Sequence, residues 1–287
     1  MIFPSSKIVL GTAQLGLKYG VTNKNNIPTN KQCFKILELA YLHGVKFFDT
    51  APSYNSEIIL GDFIKSHRLS TKINILTKIS SLQNNFSESL IKKNIENSLS
   101  KLNTAIHTLF FHDPNDFKIF IKYKEFFLNL KNIFPIKNIG FSLYNPQEIK
   151  PLIKNTPYLS FQFPYNIIDQ RFSDIKFLDY KKLFCRSVFL QGLLLNKANT
   201  LNMPKKIKLF QSRYFELLKK LNIHPLNFIL SFLNNNKNFN YFIFGIDNIK
   251  QLKKIFNYNF DNKIDIHLIR KINFLFNKKY QDPRIWS

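Results

Sequence analysis

Phe47-Phe48-Asp49-Thr50-Ala51-Pro52-Ser53-Tyr54-Asn55 reads as a buried strand that ends in a carboxylate, a short loop bearing a tyrosine, and the start of a helix. Phe47 and Phe48 close an apolar run from Val45, and Asp49 falls at its C-terminal tip. Pro52 lacks the N–H that further strand pairing needs. Asn55, followed by Ser56-Glu57, offers the N-cap and acidic first turn of the next helix. The next two strands also end on ionisable groups, Lys78 and His112. That recurrence gives the stretch its weight.

Upstream, Ile8-Val9-Leu10 is a short strand running into a loop where Gly11, Gly16 and Gly20 crowd together, in a chain with only 8 glycines. Such crowding marks a backbone that bends sharply or approaches something closely. Thr29 to Gln32 offers a capping box to a helix that ends at Gly44. Downstream, a helix over 57–66 leads to a strand over 73–78, and Ser87 caps a helix to about 102. A strand over 106–111 follows, then a helix around 118–129, a strand over 136–142, a helix opened by Pro146 and a strand over 158–163. The last third predicts strands over 183–188 and 241–244, with helices over 205–221, from Pro225, and over 249–256 and 265–277.

Strands and helices thus alternate about eight times, in units of roughly thirty residues. Parallel strands joined by helical crossovers form an open doubly wound sheet or a closed (β/α)8 barrel. The glycine spacing after the first strand is wrong for a Rossmann fingerprint, and units of this number and length favour an α/β fold of the TIM-barrel type. No linker divides the run, so residues 1–287 are expected to be a single domain, with a C-terminal helix and tail after about 260.

Composition narrows the function classes. No apolar run approaches the roughly 18 residues that span a bilayer, and residues 1–7 lack the features of a signal peptide. With only Cys33 and Cys185, a disulfide framework is excluded and no metal site is expected; a cytoplasmic address follows. The net charge of +24 invites a nucleic-acid reading, but the lysines are scattered along helices and the chain is crowded with Lys, Asn, Ile and Phe, as a coding bias would produce. A solvated basic surface that attracts acidic ligands is expected, with no specific nucleic acid and no membrane partner.

In a barrel every strand's C-terminal end opens on one face, so Asp49, Lys78 and His112 would be neighbours, with Tyr54 reaching over them. A free tyrosine titrates near 10 and is nearly inert as an acid at neutral pH. An adjacent ammonium favours the phenolate, and a carboxylate keeps that ammonium charged when buried. A tyrosine so tuned can give a proton to a carbonyl oxygen, while a histidine orients it. The group holds no nucleophile and no second carboxylate at hydrolase spacing. It lacks an electron source, which implies a hydride cofactor.

Here the chain resembles the aldo/keto reductases, NAD(P)H-dependent barrel enzymes, over almost its whole length. The resemblance is carried by Leu10-Gly11-Thr12-Ala13, Phe48 to Tyr54, Leu76-Thr77-Lys78, Phe111-His112-Asp113-Pro114, Ile139 to Ser142, Phe161 to Asn166, Arg186 to Gly192 and Phe244-Gly245, in matching order and spacing. It implies that Asp49, Tyr54, Lys78 and His112 form a catalytic tetrad with Tyr54 as general acid. It implies also that Ser142 and Gln162 hold the nicotinamide carboxamide, that Asp49 and Gly11-Thr12 lie near the nicotinamide ribose, and that Ser187, Phe189 and Gly192 lie along the pyrophosphate. NADPH or NADH is the implied cofactor, and a small carbonyl compound the substrate. A monomer or weak homo-oligomer is expected.

Three departures stand out. Leu143 occupies the family's usual asparagine after Ser142, and Arg186 replaces the ring that often stacks on the nicotinamide, where its planar guanidinium would stack instead. Past Gly245 the chain offers Asp247, Asn248, Lys250 and Gln251 to the adenosine, with Ile255 near an expected asparagine. Asp247 would repel a 2′-phosphate and Lys250 would offset it, which makes NADH use an expectation to test. The segments 164–171 and 186–192 look most like a bacterial branch met among surface-polysaccharide and sugar-nucleotide genes, which points to a sugar-derived carbonyl.

Taken singly, each residue also has an ordinary role: Asp49 as a cap, Tyr54 on a rim, Lys78 in solvent, His112 in a turn. Their joint placement favours chemistry. His43, His67, His107, His224 and His267 show no partner pattern and read as structural, and most phenylalanines read as core. Arg171 reads equally as a substrate contact or a loop ion pair, and Tyr280 and Trp286 as a tail that folds over the mouth or does not. The alternative function is a nucleotide-binding barrel with little turnover, acting as a redox-sensing or interaction subunit.

Overall fold

A computed structural model of the chain describes residues 1–23, 26–83, 86–156, 158–173, 182–197, 203–260 and 265–286. Eight parallel strands, β1 (Ile8–Gly11), β2 (Phe47–Asp49), β3 (Asn74–Ile79), β4 (Ile106–Phe111), β5 (Ile136–Ser142), β6 (Ser160–Pro164), β7 (Leu183–Arg186) and β8 (Tyr241–Gly245), close into a barrel in sequence order. β8 returns to β1 with Gly245 opposite Gly11.

The period of two along each strand sorts the side chains. Val9, Phe47, Leu76, Phe110, Phe184 and Ile243 point inward and fill the barrel with one apolar cluster, while Ile8, Leu10, Phe48, Ile75 and Phe111 point outward to the helices. β4 is buried throughout because both of its faces are covered. Gly140 makes room for the filling: a Cβ there would lie 2.4 Å from the Ser160 carbonyl and 2.7 Å from the Phe110 ring.

Two residues beyond an inward core residue is again an inward position. Asp49 follows Phe47 in this way, Lys78 follows Leu76, His112 follows Phe110, and Arg186 follows Phe184. Strand geometry therefore stacks a polar layer on the apolar plug at the C-terminal end.

Local chemistry sets the element ends. Thr29 and Gln32 form the expected capping box at the helix Asn30–Leu42, Ser87 caps Glu88–Leu102, and Pro225 opens Pro225–Asn235. The helix after the tyrosine loop spans Glu57–Ser66 as expected, but its N-cap is not the expected Asn55. Ser56 is its N-cap, and Asn55 sits in the left-handed region at φ 56°. The helix expected around 118–129 is split into Phe117–Lys122 and Lys124–Ile133 at Tyr123, whose ring stacks on Phe86 at 4.1 Å. The seventh strand ends at Arg186, not 188, because Ser187 turns the chain away at φ 57°. The C-terminal helix Ile266–Leu275 and the tail pack on the loop after β6, with Asn273 Nδ2 donating to the Ile167 carbonyl and Gln281 Nε2 to that of Ile168. Among the described residues no helix is long and apolar enough to cross a membrane.

Candidate active site

Lys78 is buried at the end of β3, and its ammonium donates to both carboxylate oxygens of Asp49 at 3.0 Å and to the Thr50 carbonyl at 2.8 Å. Burial works against that charge, but the Asp49 carboxylate and then the Tyr54 phenol outweigh it, so its pKa ends above the ordinary lysine value. The same ammonium lies 4.8 Å from the centre of the Tyr54 ring. Tyr54 in turn meets the His112 ring edge to face at 6.2 Å. The four side chains expected at three strand ends and one loop are thus brought together.

His112 is half-buried and its pKa is pushed down to about 4, first by burial and then by the Lys78 and Arg186 cations. At neutral pH it is an uncharged imidazole with one ring nitrogen donating and the other accepting. Asp49 is held a third time by Gln162 Nε2, which donates to Oδ1 at 2.7 Å.

The loop carrying Tyr54 is fixed from below. Thr12 accepts no role on the cavity wall; its hydroxyl donates to the Asp49 carbonyl at 2.9 Å and shares a bond of 2.8 Å with Ser56, which also meets Thr50 at 3.0 Å. Gly16 presses on the same loop so closely that a Cβ would lie 2.1 Å from the Tyr54 carbonyl oxygen. Pro52–Tyr54 forms a single 3-10 turn between these anchors.

Above the polar layer opens a cavity of about 660 Å³, within the ordinary range for small-molecule sites. Asp49, Tyr54 and His112 line its inner end, while Lys78 lies beneath them. Gly11, Ser142, Gln162, Arg186, Ser187, Phe189, Gly192, Gly245, Asp247 and Gln251 line it as well. Asn248 stands behind the wall as the N-cap of Ile249–Asn257, accepting from Gln251 N, and Lys250 is exposed. Asp247 and Gln251 bond reciprocally, each at 2.9 Å. Burial raises the Asp247 pKa, and the Gln251 amide partly offsets this.

The wall includes Tyr19, Tyr144, Gln191 and Lys254, which the sequence did not single out, and His224, which it read as structural. Tyr19 sits between Gly16 and Gly20, so the glycine crowding was the available signal. His224 does two things at once: its Nδ1 caps Pro225–Asn235 at 3.1 Å, and its ring faces the cavity. Arg171 resolves as a loop ion pair with Asp169 at 2.6 Å. Trp286 is buried, its indole donating to the Tyr280 carbonyl at 2.8 Å, and neither ring lines the cavity.

The residues present fit a nicotinamide dinucleotide. Ser142 and Gln162 are register partners, both buried and both on the wall, which sets a hydroxyl and an amide side by side for a carboxamide. From Arg186 the chain then folds along the cavity through tight turns with positive φ at Ser187, Leu190, Gln191 and Gly192.

A parallel eight-stranded barrel with these four side chains at its mouth defines a class of carbonyl oxidoreductase. The aldo/keto reductase family matches residues 7–274, and the chain belongs to that family. It is an NAD(P)H-dependent oxidoreductase of a family whose enzymes use NADPH or NADH. No curated protein sequence matches the chain closely enough to serve as a relative. Among solved structures it is similar to the glycerol dehydrogenase of Gluconobacter oxydans, at 18% identity and TM-score 0.68, covering 94% of this chain and 90% of that one. A Pseudomonas aeruginosa chain proposed to be an aldo-keto reductase aligns at 19% identity and TM-score 0.63, covering 87% and 88%. At these identities the likeness speaks to the fold.

Proposed function

We propose that the protein reduces an aldehyde or ketone, sugar-derived, to the alcohol, with Tyr54 giving the proton to the carbonyl oxygen. One observation carries this reading: Lys78 is bound at 3.0 Å to both Asp49 oxygens while standing 4.8 Å from the Tyr54 ring. A fixed ammonium there lowers the cost of the negative charge left on the phenol as its proton departs. Asp49 keeps that ammonium charged, and Gln162 keeps Asp49 in place. The neutral His112 donates a hydrogen bond that aims the carbonyl oxygen at Tyr54. The hydride for the carbonyl carbon would come from a nicotinamide held at this site. Ser142 and Gln162 would hold its carboxamide, and Ser187, Phe189 and Gly192 would flank the pyrophosphate.

Tyr54→Phe tests the acid. Turnover of sugar-derived aldehydes should fall about 10²- to 10⁴-fold, while cofactor binding, read by nicotinamide fluorescence, stays as in wild type. Unchanged turnover would refute the role. At the adenosine end, Asp247 on the wall with Lys250 turned to solvent supports NADH as the preferred reductant.

A further inference from the structure

Among the described residues, the inner end of the cavity carries one positive charge with no carboxylate partner. Lys78 and Asp49 neutralise each other, and His112 is uncharged at neutral pH. Arg186 remains. Its guanidinium lines the cavity, stacks on the Tyr144 ring at 4.1 Å and donates from Nη2 to the Leu143 carbonyl at 3.1 Å. Among the described residues no carboxylate lies within ion-pair distance of it.

The contrast with Arg171 is instructive. That arginine donates from Nε and Nη2 to the two Asp169 oxygens at 2.8 and 2.6 Å and from Nη1 to Asn145 Oδ1 at 3.0 Å, so its charge is met by a carboxylate and each of its three nitrogens is engaged. Arg186 has five N–H donors, and a neutral carbonyl takes only one of them. Its platform is rigid, because Glu148 Oε2 accepts from the backbone N–H groups of Tyr144 and Asn145 at 2.9 and 3.0 Å. Glu148 is thereby committed to this segment, its Oε1 accepting also from Asn145 Nδ2 at 3.3 Å. The guanidinium also faces the reacting end: it lines the same cavity as Tyr54 and His112, and its charge helps lower the His112 pKa.

A planar fork held by its face, with free donors along its edge, matches a carboxylate or a phosphate. We propose that Arg186 receives an oxyanion carried by the substrate, so that the enzyme reduces anionic carbonyl compounds in preference to neutral ones. This deepens the proposed carbonyl reduction and rests on it for where the carbonyl sits. The chain's net charge of +24 draws anions toward the molecule, and Arg186 is where one would be held.

The test uses matched aldehydes on the full chain: succinic semialdehyde against butanal, and D-glyceraldehyde 3-phosphate against D-glyceraldehyde. Wild type should favour the anionic member of at least one pair by about 10- to 150-fold in kcat/KM, the span of a charge-assisted contact. Which pair shows the preference separates carboxylate from phosphate. Arg186→Gln should collapse that ratio toward one, chiefly through KM, and Arg186→Lys should keep part of it. A second arm needs no turnover. Calorimetry on cofactor-loaded protein should find succinate or glycerol 3-phosphate binding to wild type and lost in Arg186→Gln. Equal kcat/KM within both pairs, or an Arg186→Gln that weakens both members alike, overturns the proposal; the second result would assign the guanidinium to the cofactor. Failure of the tetrad reading looks different, as a Tyr54→Phe variant that still turns over, and calorimetry then still decides Arg186.

Discussion

One strand, β4, carries a histidine at each end, and each histidine has a lysine for company. At the mouth, His112 feels Lys78; at the floor, Lys182 Nζ lies 3.0 Å from His107 Nε2. Both imidazoles are driven down to about 4, first by burial and then by lysine charge. Yet the two ends differ in kind. Lys78 has a carboxylate, which lifts its pKa above normal, whereas Lys182 is lowered by burial and by Lys137. Above His112 lies a cavity; beside His107 lie Phe47, at 5.0 Å between ring centres, and the aromatic plug of Phe184 and Tyr241. The same pair of residue types becomes an active-site candidate only where an opposite charge fixes the cation and space admits a ligand.

Removing each lysine should break the comparison most sharply. Lys78→Met strands Asp49 in the interior and should cost about 3–5 kcal/mol of stability, read from urea unfolding, together with a loss of turnover at least as deep as that of Tyr54→Phe. Lys182→Met removes a cation that Lys137 already repels, and should shift stability by no more than about 1 kcal/mol and leave turnover alone.

Acid should act on both ends alike. In the unfolded chain a histidine titrates near 6.5, whereas both of these are held at about 4 in the fold. Between those values the unfolded state binds more protons, so stability rises with pH. The contribution is present at pH 7 and is lost as pH falls through 6.5 toward 4. Urea midpoints should drop over that window, and either His107→Gln or His112→Gln should flatten the drop. Only His112→Gln should also reduce turnover. Because His112 stays neutral above the window, kcat/KM should show no step at the ordinary histidine value.

The smallest effect concerns the far end of the cavity. Asp247→Asn should improve NADPH over NADH by about five- to tenfold, the size of a like-charge contact of about 1–1.4 kcal/mol at a partly wet site. A large NADPH advantage in wild type would overturn the expectation of NADH use.

The barrel was legible because its strands announce themselves: Ile8 to Leu10, Ile106 to Phe111 and Tyr241 to Phe244 are apolar runs with no competing helical period. The convergence of Asp49, Lys78 and His112 was legible because they stand at strand ends, where topology alone dictates it, with Tyr54 on the loop that follows β2. What escaped was set by long-range packing. Asn55 was a fair N-cap by type, but the pressure of Gly16 on the tyrosine loop leaves it in a left-handed turn and passes the cap to Ser56. Tyr123 interrupts its helix where its ring stacks on Phe86, a partner from another segment. His224 reads as structural, and its Nδ1 does cap Pro225–Asn235; its place on the cavity wall comes from packing, where it also meets Lys254 at 3.4 Å. The stacking of Arg186 on Tyr144, where the sequence suggested stacking on the nicotinamide, likewise joins two loops that no local pattern connects.

The contact between Gly16 and the Tyr54 carbonyl has a practical edge for anyone redesigning this enzyme. Loops around the rim can be exchanged to seek new substrates, but the segment after the first strand is a keystone that tolerates no added carbon. A library that randomises it would mostly sample proteins in which Tyr54 has lost its placement, whatever the new rim could recognise.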